Sequence, residues 1–202
     1  MSEGLFVALL AAGSARRFGG GKLDAALGGS PLGRHALDAA LTLERAGLAI
    51  VVGDPAPAFA AAAAASGEAR LIVNRRAAEG LGGSVARAAR AAADAGCARL
   101  LLLLADMPLV APVTLQRLAD AAAPGRPAAV RHADGLPGIP ACFPADFLPR
   151  LGELEGERGA GPLLHQAAGT ILIDAPAGEL ADVDTPSDLG RIETLLSAPP
   201  AG

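Results

Sequence analysis

The densest run of usable chemistry lies between Ala11 and Lys22, reading Ala-Ala-Gly-Ser-Ala-Arg-Arg-Phe-Gly-Gly-Gly-Lys. Glycines let successive backbone N–H groups turn toward a single anion. Arg17 and Lys22 add a planar fork and a point charge, both suited to phosphate oxygens. Such a loop asks for a polyphosphate. Two common phosphate loops do not fit it. A Walker A loop needs glycine five positions before its Gly-Lys pair and Ser or Thr after it, where Arg16 and Leu23 stand. A dinucleotide G-x-G-x-x-G opening at Gly13 needs glycine in place of Ala15 and Phe18. A functionless surface loop would account for the glycines, but not for two cations set among them directly after an apolar run.

Two acidic positions also need a reason. Asp106 follows the apolar run Leu100–Ala105. A carboxylate at the end of a buried strand is costly unless it is paired or bound to a cation. A hard Mg²⁺ shared with phosphate oxygens would satisfy it. The plainer alternative, a cap for the helix opening at Pro112, places Asp106 about five residues early. Asp184 lies in Asp182-Val-Asp-Thr-Pro-Ser-Asp188. There either Asp184 or Thr185 can cap the helix that Pro186 opens, with Asp188 in its first turn, where negative charge is favoured. Ahead of both acids in the chain, Asn74 to Ser84 forms a glycine-rich turn running into a helix, a shape that admits a flat ligand or serves as an ordinary loop and cap.

Leu10-Ala-Ala-Gly13, Arg17, Gly19 and Lys22, followed by Leu27-Gly-Gly-Ser-Pro31-Leu32, resemble the opening of the GT-A-type nucleotidyltransferases. The likeness is strongest to the MobA-like group and, within it, to the molybdenum cofactor cytidylyltransferases. It extends from Leu5 to about Leu195. It implies that Ala11, Ala12, Gly13, Arg17 and Lys22 wrap the triphosphate of an incoming nucleotide, with Arg17 and Lys22 neutralising it. Ala105-Asp106-Met107-Pro108 matches the family's (G/A)-D-x-P motif, whose Asp holds Mg²⁺. The D-x-D-T-P-x-D-L segment implies Asp184 as a second metal ligand. Gly80, Gly82, Gly83 and Ser84 are implied contacts of the nucleobase and ribose, although cytidylyl members carry a serine-rich stretch there.

Two further segments carry the acceptor side of the resemblance. Gly138-Ile-Pro-Ala-Cys-Phe143 is similar to G-x-P-x-x-F, with Ile139 where the family often has His. Gly156-Glu-Arg-Gly-Ala-Gly161 is similar to G-D-x-G-A-R, with Glu157 for Asp and Gly161 for Arg. The implied acceptor contacts are Gly138, Pro140, Arg158 and Gly159, and the implied acceptor is a phosphorylated pterin. Losing the Arg removes one phosphate fork. The expected reaction is transfer of CMP from CTP to the acceptor phosphate with release of pyrophosphate, Arg17, Lys22 and Asp106 being catalytic. Neighbouring readings are guanylyl transfer to the same pterin, cytidylyl transfer to methylerythritol phosphate, and a non-catalytic protein that passes the pterin to a molybdoenzyme client.

The elements that must position these residues alternate. Apolar runs at Leu5–Ala11, Leu48–Gly53, Ala69–Val73, Ala98–Leu104, Ala128–His132 and Thr170–Ile173 are strand-sized and apolar on both faces, as parallel strands covered on both sides are. Helices are expected from Ser30-Pro31 to Ala46, over Pro57–Ala65, Ser84–Ala95, Ala111–Ala122, Pro144–Leu151 and Gly161–Ala168, and from Thr185-Pro186 to before Ala198. The pattern predicts a single-domain, Rossmann-like α/β fold over residues 1–197, with a mostly parallel sheet and helices on both faces. A frayed tail is expected at 198–202. The Gly/Pro-rich stretch Gly135–Gly161 breaks the alternation and reads as an insertion over one end of the sheet. In such sheets ligands bind at the carboxyl ends of strands, which is where the loop, Asp106 and Asn74 fall.

Composition narrows the partners. The 202 residues are 51% hydrophobic but 2% aromatic, with five Phe, no Tyr and no Trp, and a net charge of −4. Stacking-based recognition of single strands uses aromatics on a basic groove, and duplex binding needs a basic face, so no nucleic-acid partner is expected. No apolar run reaches the roughly 18 residues of a membrane span. The start could pass for a secretory signal, but Glu3 precedes the apolar stretch and no Lys or Arg does, so a cytoplasmic protein is expected. Cys97 and Cys142, far apart, read as small buried hydrophobes. His35, His132 and His165 have no metal or triad spacing.

Overall fold

In the computed structural model, residues 4–13 and 17–197 are described; Arg16 of the basic loop and the 198–202 tail lie outside them. The elements run β1 (Leu5–Ala11), β2 (Ala26–Leu27), β3 (Ser30–Pro31), α1 (Leu32–Leu41), β4 (Gly47–Val52), α2 (Ala58–Ala65), β5 (Arg70–Val73), α3 (Gly82–Asp94), β6 (Arg99–Leu104) and α4 (Pro112–Ala121). They continue with β7 (Ala128–Arg131), β8 (Pro137–Pro144), α5 (Leu148–Gly152), α6 (Gly161–Gln166), β9 (Ile171–Ile173) and α7 (Pro186–Ser197).

A seven-stranded sheet has the order β5-β4-β1-β6-β8-β7-β9, and every strand except β8 is parallel to β1. β1 is buried along its whole length at the centre of the sheet. Its alternate residues explain why it is apolar on both faces. Leu5, Val7, Leu9 and Ala11 pack with α1, α2, α4 and Ile192 of α7. Phe6, Ala8 and Leu10 pack with α3, α5 and α6. The alanines fit this arrangement: Ala88, Ala89 and Ala92 of α3 are fully buried, their small side chains bringing the helix close to the sheet. The expected mostly parallel, two-faced α/β fold is the one observed.

The strand order also says where a ligand goes. From β1 the chain builds outward on one side through β4 and β5, then crosses to β6 on the other. The loops leaving β1 and β6 therefore diverge at the carboxyl edge of the sheet, at the topological switch point where ligands of open α/β sheets bind.

Two expectations are corrected. The stretch from Gly135 contributes no mere covering insertion, because β8 is an internal strand, antiparallel between β6 and β7. Its pairing with β7 slips between Ala129 and Val130, opposite Ile139 and Pro140. A proline, which has no N–H for the ladder, is tolerated at such a bulge. The helix expected from Ser30-Pro31 to Ala46 is shorter at both ends. Ser30 and Pro31 pair with Leu27 and Ala26 in a small hairpin. At the far end Arg45 turns back and its Nη1 donates to the carbonyls of Leu41 and Leu43, 2.8 Å each, ending the helix at Leu41. The remaining strands and helices fall within a few residues of expectation.

One ion pair braces α1 against the turn before β5. Arg34 forks onto Glu68, Nη1 to Oε2 at 2.7 Å and Nη2 to Oε1 at 2.9 Å. That guanidinium, helped by the Ser66 hydroxyl, pulls the Glu68 carboxyl from 4.5 to about 2. A carboxyl lowered on folding contributes stability above its unfolded pKa, and the contribution disappears as pH falls through the folded value. The gap in melting temperature between the wild type and Glu68→Gln is therefore expected to hold above pH 4.5 and to close as pH approaches 2. A gap that persists undiminished at the acid end contradicts this role.

Candidate active site

The loop after β1 bends through Gly19, Gly20 and Gly21 at φ 88°, 99° and 62°, a run of left-handed residues that side chains bearing Cβ disfavour. The turn delivers Lys22 to the inside, where its side chain is 10% exposed. Asp24 then fastens the loop. Its carboxylate accepts the N–H groups of Ala58 and Phe59, 2.8 Å each, capping α2 from across the sheet edge. A cavity of about 290 Å³ opens between this loop and residues 53–57, bordered by Ala11, Ala12, Gly13 and Lys22. Larger hollows beside Arg99 and beside Cys97 are lined by none of the residues of this loop.

Four of the predicted site residues meet here. Lys22 Nζ lies 2.7 Å from Asp106 Oδ2 and 3.5 Å from Asp184 Oδ1. Arg17 Nη1 lies 3.2 Å from Asp184 Oδ2. Residues separated by 84 and 167 positions are thus gathered at one strand edge. The four charges cancel. The burial is graded: Lys22 and Asp106 are largely enclosed, whereas Asp184 is 48% and Arg17 78% exposed.

Asp184 is free to face Lys22 because Thr185, not Asp184, caps α7. Thr185 Oγ1 accepts from the Asp188 N–H at 3.3 Å, and Asp188 Oδ2 accepts from the Thr185 N–H at 2.9 Å, a reciprocal capping box. Asp188 Oδ2 also takes the Thr185 hydroxyl at 2.7 Å and the Asp184 N–H at 3.2 Å. These bonds, the Thr185 hydroxyl first, hold the Asp188 carboxyl below its ordinary range.

The donor set suits a hard divalent cation. Two carboxylates converge on one ammonium, and no group of three His, Cys, Asp or Glu ligands occurs among the described residues. Mg²⁺ is held in this way, by one or two carboxylates plus substrate phosphates rather than by an all-protein cage. A dication on Asp106 and Asp184 would release Lys22 and Arg17 and turn a neutral cluster into a positive one, complementary to a polyphosphate.

The turn after β5 is built differently from the flat-ligand cradle suggested by its glycines. A Cβ on Gly80 would lie 2.4 Å from Glu157 Cα, and one on Gly82 would lie 2.6 Å from the Glu155 carbonyl oxygen. The close approach that these glycines permit is to the chain itself, and the Gly82 N–H donates to the Gly156 carbonyl at 2.9 Å. Ser84 is buried and its Oγ accepts from Asn74 Nδ2 at 2.9 Å. Asn74, itself 1% exposed, also takes the Arg76 N–H on Oδ1 and anchors the whole turn. Gly83, by contrast, is half-buried beside Asn74.

The 80–84 turn and the segment holding Arg158 and Gly159 thus form one packed unit, with Leu81 directly against Gly159. Arg158 is exposed. Gly138 and Pro140 open β8 at the same edge of the sheet, Gly138 packed on the His132 ring and Pro140 buried. His132 and His35 each spend a ring nitrogen on a backbone carbonyl, of Ile139 and Leu27. Both cysteines are buried, and burial pushes the Cys142 thiol up to about 12. No helix among the described residues is long and apolar enough to cross a membrane.

Comparison with known proteins agrees with this geometry. The chain is 32% identical over 203 residues to the purine catabolism protein PucB of Bacillus subtilis, covering 93% of this chain and 95% of that protein. Its fold matches a nucleotidyl transferase from Methanothermobacter thermautotroptrophicus at TM-score 0.81 and 23% identity, over 96% of this chain and 98% of that one. It matches Rv0371c of Mycobacterium tuberculosis at TM-score 0.75 and 26% identity, over 96% and 100%. A structure of Rv0371c in complex with manganese matches as well, at TM-score 0.70. The model of the MobA-like NTP transferase domain fits residues 7–171, and the chain accordingly belongs to that family of nucleotidyltransferases.

Proposed function

We propose that this nucleotidyltransferase moves CMP from CTP to the phosphate of the molybdopterin cofactor and releases pyrophosphate. The observation that carries the reading is Lys22 lodged between Asp106 and Asp184 at the mouth of a glycine-rich loop. An acceptor phosphate oxygen attacks the α-phosphorus in line. The bond from that phosphorus to the α–β bridging oxygen breaks, and its electron pair leaves with pyrophosphate. The acceptor phosphate is already anionic near neutral pH, so no side chain has to remove a proton. Chemistry of this kind is governed by positioning and charge neutralisation. Lys22 and Arg17 take the phosphate charge, and residues 11–13 and 19–21 bring backbone N–H groups to it. Mg²⁺, held by Asp106 and Asp184, would supply further neutralisation and orient the α-phosphate. Gly80 and Gly83, both half-buried, take the nucleotide side, whereas the buried Gly82 and Ser84 support it from beneath. Gly138, Pro140, Arg158 and Gly159 form the acceptor side, with Arg158 offering the exposed cation.

The choice of CTP and of the pterin acceptor is supported by the likeness of the first loop and of the Asp106 motif to the cytidylyl members of the family. The test is pyrophosphate release from CTP, GTP, ATP and UTP with Mg²⁺, each with and without molybdenum cofactor. Release that requires CTP and the cofactor together is expected. Release with GTP instead would make the protein a guanylyl transferase, and no release with any nucleotide overturns the proposal.

A further inference from the structure

Glu179 is buried, 6% exposed, in a protein whose other acidic side chains all keep more contact with water among the described residues. It belongs to none of the charge pairs described above. It sits on the strap that links β9 to α7 and carries Asp184 at its end. Glu179 Oε1 accepts the backbone N–H of Ala111 at 3.0 Å, just where α4 begins. The positive end of a helix favours a carboxylate there. Further along the strap, the Val183 N–H donates to the Asp106 carbonyl at 3.0 Å, with the Val183 side chain fully buried between. The strap is therefore tied at two points to the loop 106–111. Asp106 hangs from that loop and Asp184 from the strap, so the spacing of the two carboxylates is set by these ties.

We infer that Glu179 is a positioning residue that holds the Asp184 strap in register with the Asp106 loop, and thereby sets affinity for a divalent cation at the two carboxylates. The inference rests on reading Asp106 and Asp184 as metal ligands. Groups that hydrogen-bond a metal ligand directly typically change metal affinity by about 10- to 100-fold when lost. Glu179 acts one step further back, through the Ala111 backbone, and the lower end of that range is expected of it. Of its two ties, the Val183 bond is backbone to backbone. The Glu179 bond is the one a side-chain change can cut.

The test uses the full chain, with Mn²⁺ binding followed by electron paramagnetic resonance in the presence and absence of CTP, and hydrogen exchange of residues 176–184. Glu179→Asp keeps the charge but withdraws the carboxylate from Ala111. It is expected to weaken Mn²⁺ binding by about tenfold and to speed exchange in the strap. Glu179→Gln keeps the reach and an acceptor oxygen, and is expected to bind Mn²⁺ close to wild type. At saturating Mn²⁺ the turnover of Glu179→Asp should recover, because the reacting groups are intact. Faster strap exchange with unchanged Mn²⁺ affinity overturns the inference and leaves Glu179 as a structural cap of α4. Equal loss in the Asp and Gln variants overturns it as well. If the wild type takes up no Mn²⁺ under any condition, the metal-ligand reading fails and the inference with it, a result separable from the others because it appears before any substitution is made. Should Glu179→Leu be made and fail to fold, the Asp and Gln pair still decides.

Discussion

Lys22→Met is expected to lower pyrophosphate release at saturating CTP by about 10²- to 10³-fold, the usual cost of removing one preorganised donor to developing charge. The substitution keeps most of the apolar stem that fills the enclosed position behind the loop, and Asp106 retains a quarter of its side-chain surface in water, so the melting temperature should change little. A second consequence separates this role from a merely structural one. In the nucleotide-free protein the Lys22 ammonium stands 2.7 Å from Asp106 and 3.5 Å from Asp184. It therefore competes with any cation for the same oxygens. Removing it leaves two facing carboxylates balanced only by Arg17, which is 78% exposed and well screened. Nucleotide-free Mn²⁺ binding is expected to tighten in Lys22→Met while turnover collapses. Turnover within a few-fold of wild type, or Mn²⁺ binding that weakens, sinks the assignment of Lys22.

Much of this arrangement is legible in the order of residues. β1 is readable because a central parallel strand is apolar on both faces, and Asp106 because a carboxylate at the end of such a strand needs a partner. The glycine run before Lys22 is readable because three left-handed residues in succession call for glycine. What escapes reading depends on distance or on local signals that mislead. β8 contains Pro137, Pro140 and Pro144, which read as strand breakers, yet Pro137 and Pro144 close its ends and Pro140 falls at the bulge. Gly80 and Gly82 look like a ligand cradle, but residues 155–157 fill that space, and nothing near position 80 announces a partner so far along the chain. Asp24 is another such case: its partners Ala58 and Phe59 lie 34 and 35 residues away. The ties that place Asp184 also come from long range, and Glu179 reads as one more surface acid until Ala111 is seen opposite it. The chemistry-bearing residues are thus readable one at a time; the side chains that hold them in place are not, because their partners are set by topology.

The same graded burial makes the two carboxylates unequal, and the inequality is measurable. Asp106 is 25% exposed and makes the short contact with Lys22, whereas Asp184 is 48% exposed and shares itself between Lys22 and Arg17. A charge in the drier position interacts more strongly with its neighbours. Asp106→Asn should therefore cost more than Asp184→Asn in kcat/KM for pyrophosphate release. The loss at Asp106 is expected to be at least about 10²-fold, since a ligand-bound dication contributes several kcal/mol to stabilising phosphate charge. Both variants keep an oxygen able to accept from Lys22, so both should fold, and a circular dichroism melt checks this. Raising Mg²⁺ should restore part of the activity of Asp184→Asn, where the drier ligand remains, and little of that of Asp106→Asn. Equal losses, or full rescue of Asp106→Asn by excess Mg²⁺, would place the principal metal ligand elsewhere and leave Asp106 as no more than the counterion that keeps Lys22 in the loop.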